Sequence, residues 1–339
     1  MKFGPIPTSE ALGAIAAHSV RLSNLTVKKG MCFSSSDIEL LLQEGINSVI
    51  VAVPDSNDIL EDLAAEQLAK ALSGDHVRLD RPTTGRTNLF ADTAGVLALD
   101  TEAINRLNAV DEAITFATLP NLRAVERGEM IGTVKIIPFA VEKLIFEKAI
   151  STLGGANVIS VRPYLPKRVA AISTLLPGLK TSVINKTIAV LEGRLAPAGV
   201  TVDVDIRIPH ERDILANNLK EVIADGADIA IIFGASAITD RRDVIPSAIE
   251  AAGGRIEHFG MPVDPGNLML IGELDGKPAL GAPGCARSPK ENGFDWVLQR
   301  LMAGIAVRRV DITQLGVGGL LMEIVQRGHL RDPGAGPQE

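Results

Sequence analysis

A chain of 339 residues is too long for one ordinary core and points to about two domains. Hydrophobic residues make up 46% and charged residues 22%, a globular balance, while 3% aromatics means cores built from Ala, Val, Ile and Leu, as in strands covered by helices. A net charge of −7 with no dense Lys/Arg run excludes a groove built to neutralise nucleic-acid phosphates.

The opening MKFGPIPTSEALG has no long apolar core after a basic head, so no secretory signal is expected. No stretch approaches the ~18 apolar residues of a membrane span. Cys32 and Cys285 are too few for a disulfide framework or a zinc site, and reduced thiols fit a cytoplasmic protein.

In chain order, Ser36-Asp37-Ile38-Glu39 has capping-box spacing for a helix through Leu40, Leu41 and Leu42, with Gly45 as its stop. Residues 47–54, NSVIVAVP, predict a buried strand. In the following DILEDLAAEQLAKALSG, Leu60, Leu63, Ala64 and Leu68 recur at helical spacing and Gly74 ends the run. TVKIIPFAV, residues 133–141, predicts another strand, with Pro138 bending its end. The segment RPYLP at 162–166 interrupts both patterns and suggests a domain boundary.

Beyond it, apolar runs at 168–173, 200–208 and 227–233 alternate with helical patterns at 182–195 and 210–224. That alternation implies βαβ units and a mostly parallel sheet. A hairpin is expected from 268–273 through Asp275-Gly276 to 278–281, then a last helix over 290–302. The expected organisation is a mixed α/β region over 1–165, a three-layer α/β domain over 166–308, and an extension over 309–339. Its Gly/Pro-rich end, HLRDPGAGPQE, is expected to fray.

Two segments carry candidate chemistry. In IAIIFGASAITDRRDVIP an apolar strand opens into Gly234, Ala235, Ser236 and Ala237, then Asp240, Arg241, Arg242 and Asp243 before a helix. Small residues beyond the carboxyl end of a parallel strand let backbone N–H groups approach an anion. The plain alternative is a strand-to-helix turn with Asp243 as N-cap and Pro246 in the first turn. In MPVDPGNLMLIGELDGKPALGAPGCARS, the turns Pro265-Gly266-Asn267 and Pro283-Gly284-Cys285 flank the hairpin, with Arg287, Ser288 and Lys290 close behind. Taken alone, these read better as ordinary turns connecting strands, with the basic residues solvated. The five histidines are scattered without metal-ligand spacing.

In this order, FGASAITDRRDVIP, Gly253-Gly254, DPGN, GELDGKPALG and APGCARS together resemble the molybdopterin-binding domain shared by molybdopterin adenylyltransferases and molybdopterin molybdenumtransferases, over roughly residues 168–305. EALGAIAAHS, VKKGMCFSSSDIELLLQEGI and TVKIIPFAV look like the additional domains of molybdenumtransferases. The resemblance implies a cytoplasmic, homo-oligomeric protein of molybdenum-cofactor biosynthesis acting with other proteins of that pathway. Its ligand would be molybdopterin, with Mg²⁺ and either ATP or molybdate.

It places the ligand against Ser173, Thr174, Asn185, Gly234, Ala235, Ser236, Arg241, Arg242, Pro265, Gly266, Asn267, Pro283, Gly284, Cys285, Arg287 and Ser288. Asp240 and Asp243 would hold Mg²⁺ or orient the transferred group. Leu175-Leu176 and Asn185 stand where the relatives carry carboxylates. That departure leaves open a non-catalytic carrier or sensor beside adenylyl transfer or molybdate insertion.

Overall fold

The computed structural model describes residues 1–22, 25–155 and 157–321. The chain forms two compact units, Met1–Pro163 and Tyr164–Glu339. The tail HLRDPGAGPQE lies outside the described residues; the extension before it contains a short helix, Arg309–Thr313.

The first unit is mixed α/β. Its opening sheet joins Lys2–Pro7, Ser48–Val53 and Ile15–Ala16 in antiparallel pairing, and helix Ser35–Gln43 contributes Leu41 to the core beneath it. The capping box lies two residues before the expected one. Ser34 accepts from Asp37 N, and the Asp37 carboxylate takes Ser34 N at 2.8 Å, so Asp37 rather than Glu39 closes it. Gly45 follows the helix in the left-handed region (φ 76°), as its stop position requires.

A second antiparallel sheet orders Ile114–Thr118, Met130–Ile136, Arg86–Ala91 and Val77–Leu79. The expected strand over 133–141 is broken at Ile137–Phe139 and resumes as Ala140–Glu142. The expected helix from 58 begins only at Glu61, because Asp58–Leu60 pairs with Ala140–Glu142 as a strand. That helix buries Ala64, Ala65, Leu68, Ala69 and Leu72, whereas Leu60 and Leu63 are about half exposed. The spacing gave the right helix with its apolar face turned by about one residue.

Elements of the second unit are labelled in chain order: β1 (Val169–Leu175), α1 (Thr181–Leu195), β2 (Val202–Pro209), α2 (Arg212–Ala224), β3 (Ile229–Phe233), α3 (Val244–Ala251), β4 (Arg255–Phe259), β5 (Leu270–Leu274), β6 (Lys277–Ala282) and α4 (Gly293–Met302). They form one six-stranded sheet ordered β2-β1-β3-β6-β5-β4. The first three pairings are parallel; the hairpin and edge strand β4 are antiparallel.

Alternate residues of the central strands feed opposite cores. Val169, Ala171, Ile229, Ile231 and Phe233 pack with Leu191 and Leu195 of α1 and Phe294, Val297 and Leu298 of α4. Ala170, Ile172, Ala230 and Ile232 pack with Leu215 and Leu219 of α2 and Ile245 and Ile249 of α3. Both faces are covered, giving three α/β/α layers, and continuous apolar runs are what doubly buried parallel strands need.

The β5–β6 turn is the two-residue Asp275-Gly276, with φ of 49° and 73°, both in the left-handed region that matches strand twist in a tight hairpin. Gly276→Ala is expected to cost about 1 kcal/mol in urea unfolding without altering any site at the other end of the sheet.

Candidate functional site

Three loops leave the carboxyl ends of β1, β3 and β6 on one side of the sheet. After β1 the chain passes to α1 on one face; after β3 it passes to α3 on the other. Neighbouring parallel strands whose connections diverge leave a crevice between them, the usual place for a ligand in an open α/β sheet. A cavity of about 250 Å³ lies there, lined by Leu179, Val183, Gly234–Ala237, Ala282, Gly284 and Arg287.

Arg287 dominates its chemistry. The short 3₁₀ turn Gly284–Arg287 carries its side chain back over β3. One guanidinium nitrogen donates to Thr187 Oγ1 at 2.9 Å, another to Gly234 O at 2.8 Å, and the group lies 5.6 Å from the Phe233 ring centroid. Burial lowers its pKa. Among the described residues no carboxylate pairs with it, so a partly desolvated cation faces the cavity with a hydroxyl and a carbonyl as its partners.

The loop that supplies Gly234 is fixed from below. Thr174 Oγ1 accepts Ala235 N–H at 2.9 Å and also meets His210 Nδ1 at 2.8 Å. A Cβ on Gly234 would stand 2.7 Å from Ser236 O and 2.8 Å from Ile245 Cδ1, so the turn requires glycine there. Ile238 is buried, and a Cβ on Gly281 would stand 2.6 Å from its Cδ1, so the small residue in β6 admits the loop's anchor.

The Gly284–Ser288 segment is held by Arg194 of α1. Arg194 donates to Ala286 O (2.9 Å) and Ser288 O (2.7 Å) and forms an ion pair with Asp295 of α4. Asp295 also accepts Asn292 N at 2.8 Å in the α4 capping box. Both side chains are about nine-tenths buried.

Of the residues expected from the sequence, the structure gathers Gly234, Ala235, Ser236, Gly284 and Arg287 around the cavity, with Thr174 beneath. Ser173 is fully buried, and its hydroxyl has no hydrogen-bond partner among the described residues. Pro283, Cys285 and Ser288 belong to the turn but do not line the cavity, and burial raises the Cys285 thiol pKa. Asn185 is an exposed residue of α1 outside the lining. The Pro265-Gly266-Asn267 turn is also outside it. That turn docks on the start of α4 instead, where Gly293 N donates to Pro265 O at 2.8 Å and a Cβ on Gly266 would meet Gly293 N at 2.8 Å.

Asp240 and Asp243 lie on the loop beyond the cavity. Asp240 is held by Arg242, whose Nε, Nη2 and backbone N all donate to it, and this pairing lowers its pKa to about 2. Asp243 is the α3 N-cap, one oxygen accepting Val244 N and the other Thr239 N. Mg²⁺ between them would have to displace these partners, so the pair as arranged does not fit a magnesium site. Among the described residues no group of three or more His, Cys, Asp or Glu could hold a metal ion. Arg241 and Arg242 are exposed and outside the lining.

Asp243→Asn, which keeps one acceptor and removes the charge, is therefore expected to change ligand affinity less than twofold and stability by about 1 kcal/mol at most. Asp243→Ala should cost about 0.5–2 kcal/mol. Thermal unfolding and ligand titration of both variants separate the two roles.

Sequence reasoning missed His210, Thr187 and Arg194. His210 has no metal-ligand spacing, but its place directly after Pro209, the last residue of a parallel strand, was a usable signal. Arg194 reads as one more charge on an amphipathic helix, and nothing local announces its burial.

Residues 5–53 match a family model described as a domain of unknown function (DUF8806). No curated protein matches the chain. Among solved structures, the chain is similar to the molybdopterin biosynthesis moea protein from Pyrococcus horikosii, at 16% identity, over 89% of this chain and 75% of that one, with a TM-score of 0.31. A likeness of that size does not identify a shared fold.

Proposed function

We propose that this protein binds molybdopterin in the cavity beyond β1, β3 and β6 and acts in molybdenum-cofactor biosynthesis. The carrying observation is Arg287, a partly desolvated guanidinium with no carboxylate partner, lining a cleft at the point where the strand connections diverge. A phosphate group is the ligand chemistry that relieves it, since a charge-assisted contact replaces lost hydration. The GASA loop and the APG turn, which carry the resemblance to molybdopterin-binding domains, meet at this cleft.

Adenylyl transfer from ATP, or insertion of molybdate, is the reaction this reading proposes for the bound ligand. A carrier role is the second reading. It is favoured by the lining itself, which contains Leu179 and Val183 and no carboxylate. Binding without groups that act preferentially on the transition state gives affinity but not rate.

Purified protein is expected to bind molybdopterin stoichiometrically in a fluorescence titration. Single-turnover reactions with ATP and Mg²⁺, or with molybdate, then divide the readings. Conversion at about 1 s⁻¹ or faster is enzymatic; unchanged bound ligand establishes the carrier, and absence of binding refutes both.

A further inference from the structure

The Thr174–His210–Ser236 chain of polar contacts is not used by the reading above. His210 follows β2 directly, and its backbone N donates to Leu175 O at 3.0 Å, which fixes it beside the end of β1. Its Nδ1 lies 2.8 Å from Thr174 Oγ1 and its Nε2 3.4 Å from Ser236 Oγ. Thr174 is fully buried, whereas Ser236 is exposed and lines the cavity. Thr174 Oγ1 already accepts Ala235 N–H and has Phe233 O within 3.5 Å as a second place for its own proton.

A hydroxyl has one proton to give, and a neutral imidazole has one donor and one acceptor. Two neutral arrangements therefore exist. If Thr174 donates to Nδ1, Nε2–H donates to Ser236, and the serine proton is free to point into the cavity. If Nδ1–H donates to Thr174, with the Thr174 proton on Phe233 O, then Nε2 accepts from Ser236 and the cavity meets serine lone pairs. Protonated His210 donates from both nitrogens, which leaves only the first orientation of Ser236 and adds a positive charge.

We propose that His210 is the positioning residue that selects for an oxyanion in this cavity: when protonated it turns the Ser236 hydroxyl into a donor toward the ligand. This deepens the reading given under Proposed function and rests on it for the identity of the cavity, not for the behaviour of the three residues. The ligand class is a tetrahedral oxyanion, a phosphate ester or a metal oxyanion.

The strands β1 and β3 carry no charged side chain, and the charged groups near His210 belong to β2 and to the neighbouring loops and helix start. Its own helix start carries Glu211 and the Arg212–Asp213 pair; β2 carries the Arg207–Asp205 pair. The loop after β3 carries Arg241, Asp243 and the Asp240–Arg242 pair, the segment after β1 carries Lys180, and the turn after β6 carries Arg287. The test compares the interval from about pH 5.5 to 8.5, across which imidazole is the side-chain class that ordinarily changes charge.

The probe is inorganic sulfate, whose own charge is constant across that interval, titrated into the full chain by calorimetry. Wild-type protein should bind it about tenfold more tightly at the acid end, the size of one charge-assisted contact. By linkage, saturating sulfate should raise the His210 midpoint in a proton NMR titration by about one pH unit. His210→Gln should flatten the pH profile. Ser236→Ala, on an exposed position that leaves the core untouched, should retain the charge effect and lose the hydroxyl contribution. Molybdate in place of sulfate tests whether a metal oxyanion is favoured over a phosphate-like one; a pH slope with either supports the proposal.

A flat wild-type profile, no sulfate binding at either end, or an unchanged slope in His210→Gln overturns it. The two proposals fail separately. Molybdopterin bound with no His210-dependent slope leaves the functional reading standing and removes this one. A His210-dependent sulfate site without molybdopterin binding does the reverse.

Discussion

On the proposed reading, replacing Arg287 with Met should weaken molybdopterin binding by about 10- to 100-fold, because the side chain would supply the cationic contact to the ligand. The loss has a structural part as well. Thr187 Oγ1 and Gly234 O lose their donors and the Phe233 ring its cation, at a cost of about 1–2 kcal/mol. Arg287→Lys restores the charge but cannot serve the hydroxyl, the carbonyl and a ligand with one ammonium, so partial recovery is expected. Calorimetric titration of the three proteins, with urea unfolding as the control for folding, measures both parts. Equal affinity in Arg287→Met would remove this residue from the binding site.

The largest stability effect is expected at Arg194. Truncation to Met leaves Asp295 as a buried, unpaired carboxylate and strips donors from Ala286 O and Ser288 O. Breaking a buried ion pair from one side costs about 3–5 kcal/mol, which should appear as a large fall in the urea midpoint. The same change releases the Gly284–Ser288 turn, so affinity should fall although Arg194 lies outside the cavity lining. Substituting Asp295 as well, to Asn, should return part of the loss, since the uncompensated charge then disappears. A stability change under 1 kcal/mol for Arg194→Met would show that the buried network contributes little.

The second unit was largely legible in the sequence because its signals are local. Ile229–Phe233 is uninterrupted and apolar as a doubly covered strand must be, Asp275-Gly276 is the preferred hairpin turn, and helix periodicity in Ile214–Ile223 is clear. What escaped depends on partners distant in the chain. Asp58–Leu60 is a strand only because Ala140–Glu142 reaches it, so its residues read as a helix start. The capping box was misplaced because Ser34 and Ser36 offer the same chemistry two residues apart, and only geometry chooses.

The site was legible by half for the same reason. Small residues after a strand flag a cleft, so Gly234–Ser236 and Gly284 were found. Which polar side chains enter that cleft follows from packing. Asp243 read equally as cap or ligand from spacing alone, the resemblance made it a ligand, and it serves as the cap, while His210 and Arg194 are placed by contacts across 26 to 101 residues of chain.

The most direct test is to locate the ligand. A crystal structure of the full chain with molybdopterin should show its phosphate against Arg287 and the Gly234–Ser236 backbone, between the loops that follow β3 and β6. Well-ordered molybdopterin elsewhere, with this cavity empty, would contradict the account.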